Sequence, residues 1–355
     1  MLRPSHLFDA LYLIAGVFFV GACVPQGMYP EPSDVDASVV VSPPSRPRPA
    51  RGMRRDMGVS LMPVPDPPPP QARGPRPSFA PVRSDVLLLL DRSEVMGESL
   101  VCSTPSCPTR WNALVALTDY LAPSAALYRW GLALYPSQEE PCDVSDCVAV
   151  PLNSEDEIED IGEVLVRMSP GGERPLAAAM RTLLDEQDWA PLQGSRSLVV
   201  ITGGSPTCAC EDPLDRECEV EAVEAVFADF VSAMPNTRVH IIGVGVDDPA
   251  EVRILDRIAQ AGGTESADQV FTMSRLVETV KGAIGQSAPC LYVADESLVG
   301  WSLTVQIDDA PVARCDDSNC AHGYVLESDD MLRFGEDVCD RLRDGEGHSV
   351  RINPL

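Results

Sequence analysis

Aromatic residues are scarce in this 355-residue chain, where four Trp, seven Tyr and eight Phe make up 5% of the total. Histidine is scarcer still: only His6, His240, His322 and His348 occur, so imidazole catalysis and histidine-ligated zinc start with few candidates. Basic residues number 27 against 54 acidic ones, a formal net charge of −27. The deficit is uneven: residues 1–83 hold nine Lys and Arg against six Asp and Glu, and the remaining residues hold 18 against 48. A body so poor in cations lacks the basic footprint that neutralises phosphates, so no nucleic-acid partner is expected. It equally lacks the lysines and arginines that dock a surface on anionic lipid. Neither G-x-S-x-G, H-E-x-x-H, a phosphate-binding G-x-x-x-x-G-K-[ST] nor a G-x-G-x-x-G after a strand occurs, so no enzyme and no small-molecule substrate is expected. What the chain holds in quantity is proline, at 33 residues, and cysteine, at 12.

The N-terminus explains half of the proline. A basic Arg3 precedes the apolar run Ala10–Val20, which is far short of the ~20 residues a spanning helix needs. Its length suits the core of a signal peptide over residues 1–22. Val20-Gly21-Ala22-Cys23 resembles the lipobox of bacterial lipoproteins, which implies lipidation of Cys23 and membrane attachment through the acyl chains. The plainer alternative is an ordinary secretory signal followed by an unmodified cysteine. Sixteen prolines fall between Val24 and Pro81, including Pro67-Pro68-Pro69-Pro70. Such a segment buries too little apolar surface to offset chain entropy, so residues 23–83 read as a lipid anchor and a disordered, extended stalk.

Residues 84–288 alternate between two periods. Asp85–Leu90 is a short, continuous apolar run suited to a strand buried on both faces of a parallel sheet. Comparable runs recur at Trp130–Tyr135, Cys147–Leu152, Ser197–Thr202, Arg238–Val246 and Gln269–Met273. Between them lie helical stripes: Trp111, Leu114, Thr118, Leu121; Ile158, Ile161, Leu165, Met168; and Val220, Val223, Phe227, Phe230, Met234. Ser154 with Glu157, and Asp248-Pro249 with Glu251, read as helix starts. The pattern predicts an α/β fold with a doubly wound, mostly parallel six-stranded sheet. His240, inside an apolar strand, reads as a hydrogen-bonded core residue rather than a base.

The first strand ends in Asp91-Arg92-Ser93-Glu94-Val95. In this context it resembles the D-x-S-x-S of the von Willebrand factor type A domain. Three later landmarks fit the same family: Pro170-Gly171-Gly172-Glu173-Arg174-Pro175-Leu176, Val199-Val200-Ile201-Thr202-Gly203-Gly204-Ser205-Pro206, and Ile241-Ile242-Gly243-Val244-Gly245 followed by Ala261-Gly262-Gly263-Thr264. The resemblance implies a loop face that binds protein partners around Mg²⁺ or a similar cation, the metal-ion-dependent adhesion site. Here that site is degenerate. Asp91 and Ser93 remain, but the other ligand positions hold Val95, Arg174 and Gly203, and hard cations accept only oxygen ligands. Ser169 and Thr182 are the conceivable substitutes in the second loop, and neither sits at the turn. The expectation is therefore no metal and no other cofactor, with Arg174 in the cation's place paired to Asp91. The neutral alternative leaves Arg174 in solvent and Asp91 on loop amides. Arg92, Glu94, Arg174 and Ser205 are the expected partner-binding residues. A second reading keeps a weak Mg²⁺-type site completed by a partner's carboxylate.

In an exported chain cysteines are expected to pair. Proximity suggests Cys102–Cys107, Cys142–Cys147 and Cys315–Cys320, Cys290–Cys339 would close the tail module, and two of Cys208, Cys210 and Cys218 are expected to bond, with the third free or joined to another chain. Cys208/Cys210 as a thiol–disulfide exchanger and a three-thiolate zinc site are the alternatives there. Residues 289–355 lack helical periodicity and show short strand-like runs, Leu291–Val293, Trp301–Ile307, Tyr324–Leu326, Met331–Phe334 and Ser349–Ile352, separated by turn-rich stretches such as Asp308-Asp309-Ala310-Pro311, and read as a small disulfide-stapled β module. Cys315–Cys320 bunches oxygen ligands but lacks the spacing of a calcium loop. Together these readings describe a non-enzymatic lipoprotein of the bacterial envelope, outer-membrane or periplasm-facing, that binds an unidentified protein.

Overall fold

The computed structural model describes residues 75–100, 107–137, 140–152, 157–186, 195–212, 215–316 and 320–355. The signal peptide, Cys23, most of the stalk, Cys102 and the Ser154 cap lie outside the described residues.

The strand expected at Asp85–Leu90 spans Ser84–Asp91 (β2), and all eight of its residues are buried. It is flanked in parallel by β3 (Tyr128–Tyr135) and β5 (Arg196–Thr202). The sheet continues in parallel through β6 (Thr237–Val244) to β7 (Asp268–Val270), while β4 (Val148–Val150) runs antiparallel on the β3 edge. The order β4-β3-β2-β5-β6-β7 reverses direction of growth at β2, as in a doubly wound sheet. Alternation along β2 divides the core. Val86, Leu88 and Leu90 pack under α1 (Arg110–Leu121), α2 (Glu157–Arg167) and α6 (Met273–Gly285). Leu87 and Leu89 face α3 (Leu176–Glu186), α4 (Arg216–Ala233) and α5 (Pro249–Ala261). Each of these leucines, fully removed from water, contributes about 2 kcal/mol. α5 starts as its sequence foretells, with the Asp248 carboxylate accepting from Ala250 N at 2.8 Å and Pro249 in the first turn. His240 is buried in β6, but its Nε2 has no hydrogen-bond partner. Burial, with Arg238 nearby, pushes its imidazole down to about 4, which keeps it neutral.

The second sheet has seven strands in the order β1-β8-β12-β11-β10-β9-β13. Its core is Tyr292, Val305, Ile307, Tyr324, Leu332, Phe334 and Leu342. Three of its elements depart from the sequence reading. β1 (Phe79–Pro81), assigned above to the stalk, pairs antiparallel with β8 (Leu291–Ala294), so this module is built from both sides of the α/β sheet. β10 (Ala310–Arg314) begins inside a stretch read as a turn. Asp308 and Asp309 alone make the turn, with φ of 49° and 64°, and Ala310 and Pro311 already pair with Ile307 and Gln306 of β9 (Leu303–Ile307). α7 (Glu336–Leu342) is a helix where no helical period was evident, because its seven residues are too few to show one. β11 (Gly323–Leu326), β12 (Met331–Phe334) and β13 (Val350–Pro354) lie where short strand runs were expected. Cys315–Cys320 is bonded as its spacing suggested, and Cys290–Cys339 closes the module as expected.

A charged clamp closes this module. His348 Nδ1 meets Asp308 Oδ2 and its Nε2 lies 3.0 Å from both carboxylate oxygens of Asp344, while Arg341 reaches Asp308 at 3.1 Å. Only the imidazolium can donate from both nitrogens. Burial works against that charge, yet the two carboxylates prevail and hold the His348 pKa above its ordinary 6.5. The clamp therefore contributes fully below pH 6.5 and is lost as pH rises through the raised folded value. At the acid end it weakens as Asp308, held down at about 2 by His348 and the Ser349 amide, becomes protonated. Thermal melts from about pH 6 to about pH 9 should show a falling midpoint in the wild type and a flatter profile in His348→Gln.

Candidate functional site

All parallel strands end on one side, so the loops after β2, β5 and β6 and the turn before α3 meet at the sheet's carboxyl edge. The first three sequence landmarks and Ile241–Gly245 of the fourth gather there, while Gly262, just past the far end of α5, backs on Val239 near the start of β6. At their centre Asp91 is completely buried. Its Oδ1 accepts from Ser93 N at 2.7 Å, and its Oδ2 accepts from Gly203 N at 2.8 Å and Thr202 Oγ1 at 3.1 Å. Burial pushes the carboxyl above its usual range, opposed by hydrogen bonds from Ser93 and Gly203 and then by the field of Arg174. The Ser93 hydroxyl is near enough to favour the charged form but meets no partner in hydrogen-bonding geometry. Tyr135 lies buried beside it, its hydroxyl pushed well up by burial and by Asp91.

These residues do not fit a hard cation. Two of the family's five ligand positions carry oxygen, and Asp91 is already engaged through both oxygens. A side chain at Gly203, the third-loop ligand position, has no room. Its Cβ would stand 2.5 Å from Val95 Cγ2, 2.9 Å from Met96 Sδ and 3.3 Å from Arg110 Nη1. Val95 and Gly203 are thus packed against each other, and the valine methyl takes the space a side chain at position 203 would need. Among the described residues no group of three or more His, Cys, Asp or Glu converges to hold a metal.

Arg174 does not pair with Asp91. Its Nε donates to the Ser205 carbonyl, and no ion pair joins it to any described carboxylate. Asp91 rests on amides, as in the neutral alternative, but Arg174 is half-buried rather than free in solvent. The cation bridging the strand ends is Arg110, which the sequence reading passed over. Arg110 Nη1 donates to Gly203 O at 3.1 Å, Nη2 donates to Gly245 O at 3.0 Å, and Nη2 also lies 3.0 Å from Glu98 Oε2. Gly245 is required there: its φ is +69°, and a Cβ would stand 2.6 Å from Arg110 Nε. The signal was present, since Arg110 precedes Leu114, Leu117 and Leu121 by four, seven and eleven positions and so falls on the buried face of α1.

The expected partner-binding residues divide. Glu94 is exposed and Arg174 half-buried, but Arg92 and Ser205 are each only 6% exposed. Arg92 is a structural tie, donating from Nε to Pro136 O at 2.9 Å and from Nη1 to Ser169 O at 3.0 Å.

The cysteines beside the site depart from the nearest-neighbour pairing. Cys142 bonds to Cys208 across 66 residues, and Cys210 bonds to Cys218. Cys147 is fully buried against the sheet, in the cluster that holds Leu87 and Leu176, and faces away from Cys142. No cysteine of the 208–218 group is left over, and Cys208 and Cys210 do not bond each other, so a Cys-Ala-Cys exchanger has no basis. Cys107 is also disulfide-bonded, and its expected partner Cys102 lies outside the described residues. The loop is held further by Glu219 of α4, 2% exposed, whose carboxylate accepts from Ala209 N at 2.8 Å and Cys210 N at 3.0 Å.

No family model matches the chain, and no curated protein matches it significantly. Solved structures share parts of its course. An aerotolerance-related membrane protein from Bacteroides fragilis is 17% identical, with a TM-score of 0.37 over 57% of this chain and 98% of that one. The pilus adhesin SpaC from Lactobacillus rhamnosus GG is 11% identical, with a TM-score of 0.43 over 77% of this chain and 39% of its own. Manganese-loaded TRAP protein from Plasmodium vivax is 14% identical, with a TM-score of 0.39 over 78% and 95%. At these values the likenesses carry no function across.

The two arginines should differ sharply in stability. Arg110→Met leaves two strand-end carbonyls and Glu98 without their donor and is expected to cost about 2–4 kcal/mol in urea unfolding. Arg174→Met loses one hydrogen bond and should cost about 1 kcal/mol. Gly203→Asp, forced against Val95, should cost about 1–3 kcal/mol.

Proposed function

We propose that the chain is an envelope-anchored, non-enzymatic protein-binding lipoprotein. In this reading a von Willebrand factor type A-like domain, standing on a proline-rich stalk attached through Cys23, presents its carboxyl-edge loops to another protein without a bridging metal. The observation that carries it is the state of Asp91: both oxygens are engaged by the protein's own donors, and Val95 and Met96 fill the space of the third-loop ligand. Glu94 and Arg174 stay accessible on the same edge. Bonded cysteines suit an oxidising compartment outside the cytosol. Among the described residues no helix is long and apolar enough to cross a membrane, so attachment in this reading falls to the N-terminal lipid. The weak-cation reading keeps only Ser93 Oγ as an unengaged ligand oxygen of the family set.

Two measurements test this. Calorimetric titration with Mg²⁺, Mn²⁺ and Ca²⁺ should give no heat of binding; millimolar or tighter binding that disappears in Asp91→Ala would restore the cation-dependent reading. Affinity capture from native envelopes, read by mass spectrometry, should recover a protein that a Glu94→Arg/Glu173→Arg variant recovers at least tenfold less well. Arg238→Glu, at the opposite edge of the sheet, should recover it as the wild type does. Equal recovery by all three forms would remove the carboxyl edge as the binding face.

A further inference from the structure

We infer that Arg174 is the receptor for a carboxylate carried by the protein partner, an inference that rests on the carboxyl edge being the binding face. Two arginines that flank Arg174 at this edge are spent. Arg92 holds the carbonyls of Pro136 and Ser169, and Arg110 holds Gly203, Gly245 and Glu98. Arg174 commits only Nε, to the Ser205 carbonyl, and neither Nη is engaged by a described residue. Its backbone is fixed on both sides: its N–H donates to Thr207 Oγ1 at 2.9 Å, and its carbonyl accepts from Thr207 N and Leu176 N, both at 2.8 Å. The guanidinium is therefore half-buried, oriented, and has two N–H-bearing nitrogens left over. A planar fork prepared in this way matches a carboxylate, and little side-chain entropy remains to be lost on binding.

The surroundings refine the partner's chemistry. Ser205, whose carbonyl anchors the guanidinium, keeps a buried hydroxyl without a partner. Beneath Arg174 the bare backbone of Gly204 makes a floor. A Cβ there would lie 3.7 Å from Arg174 Cζ and 3.2 Å from Glu251 Oε2, so the guanidinium and a carboxylate flank the same glycine without pairing to each other. The exposed Glu173 is engaged by Thr207, whose Oγ1 donates to its Oε2 at 3.3 Å. Glu94, Glu173 and Glu251 place acidic groups around Arg174. The segment that suits it is an Asp or Glu flanked by lysine or arginine, because an acidic flank meets like charge there.

Fluorescence anisotropy with the full chain and labelled nonapeptides tests the assignment. The peptides carry a central Asp or Glu with Lys flanks, the same flanks with central Asn or Gln, or a central Asp with Glu flanks. Lys-flanked acidic peptides should bind at least tenfold more tightly than their amide counterparts and than the Glu-flanked set. Arg174→Gln should abolish the acid-over-amide preference, and Arg174→Lys should restore less than half of it, since the charge returns without the fork. Matched thermal melts of the three forms show that the loss is not unfolding. Absence of binding, or an acid-over-amide preference unchanged in Arg174→Gln, overturns the assignment. If the envelope partner is lost on Glu94→Arg/Glu173→Arg but kept on Arg174→Gln, the binding face stands and the carboxylate receptor falls.

Discussion

The central strand carries an aspartate at each end, and both are sealed from water. Asp85 is 1% exposed and Asp91 is not exposed at all. Burying a carboxylate is tolerable only if its lone pairs are answered by donors, and the two ends answer differently. At the amino edge Asp85 Oδ1 accepts from Arg129 Nε at 2.7 Å, while Oδ2 accepts no hydrogen bond and faces the Arg196 guanidinium at 3.6 Å. At the carboxyl edge Asp91 takes two amides and a hydroxyl. That choice ties the β2 loop to the end of β5, because Gly203 N can reach Asp91 only if the two loops are in contact. The geometry of the candidate site follows from the satisfaction of one buried charge.

Charged residues at the first turns of helices complete the edge. Arg110 opens α1 and supplies donors to strand-end carbonyls, while Glu219, in the first turn of α4, accepts from loop amides. Each lies on the buried stripe of its own helix, at the end nearest the loops, and each meets backbone groups that no strand partner satisfies. The edge is a set of loops pinned from below by opposite charges on opposite faces of the sheet. The other end of the molecule is joined more lightly. Arg343, at the end of α7, donates to Ala288 O at 3.0 Å and to Ser195 Oγ at 3.2 Å, and Ser195 Oγ in turn lies 3.2 Å from Ser84 Oγ. Burial lowers the Arg343 pKa, consistent with a guanidinium lodged in the seam between the second module and the sheet.

Much of the fold was legible because its signals are local. Each of the six strands of the first sheet overlaps an apolar run that predicts it, and Asp248-Pro249 marks a helix start, since period and capping are properties of a few adjacent residues. β1, β10 and α7 escaped because a three-residue strand, a five-residue strand carrying a proline and a two-turn helix are all too short to show a period. In the site, Asp91 and Ser93 were found through a motif, whereas Arg110 and Glu219 are defined by partners far along the chain: Gly203 lies 93 residues from Arg110. A charged residue within an apolar stripe is the readable trace of such a role, and it directs attention to the helix end nearest the loops.

The disulfides show why separation in sequence misleads at this edge in particular. Pairing by proximity succeeds where the chain turns back on itself at once, as at Cys315–Cys320, separated by five residues. Cys142 and Cys147 have the same separation, but Cys147 leads directly into β4. Once β4 pairs with β3, Cys147 is committed to the core side of the sheet, and Leu134 N donates to its carbonyl at 2.9 Å. Cys142 stays in the preceding loop on the carboxyl edge, where Pro141 O accepts from Glu173 N at 2.8 Å. The doubly wound order also brings the β5–α4 loop to that edge, and Cys208 arrives beside Cys142. Topology therefore overrides local spacing: the bond joins the two loops on either side of the Arg174 turn. That turn contacts both of them through backbone groups, so the cross-link and the hydrogen bonds of Glu173 and Arg174 hold the same piece of chain in one conformation.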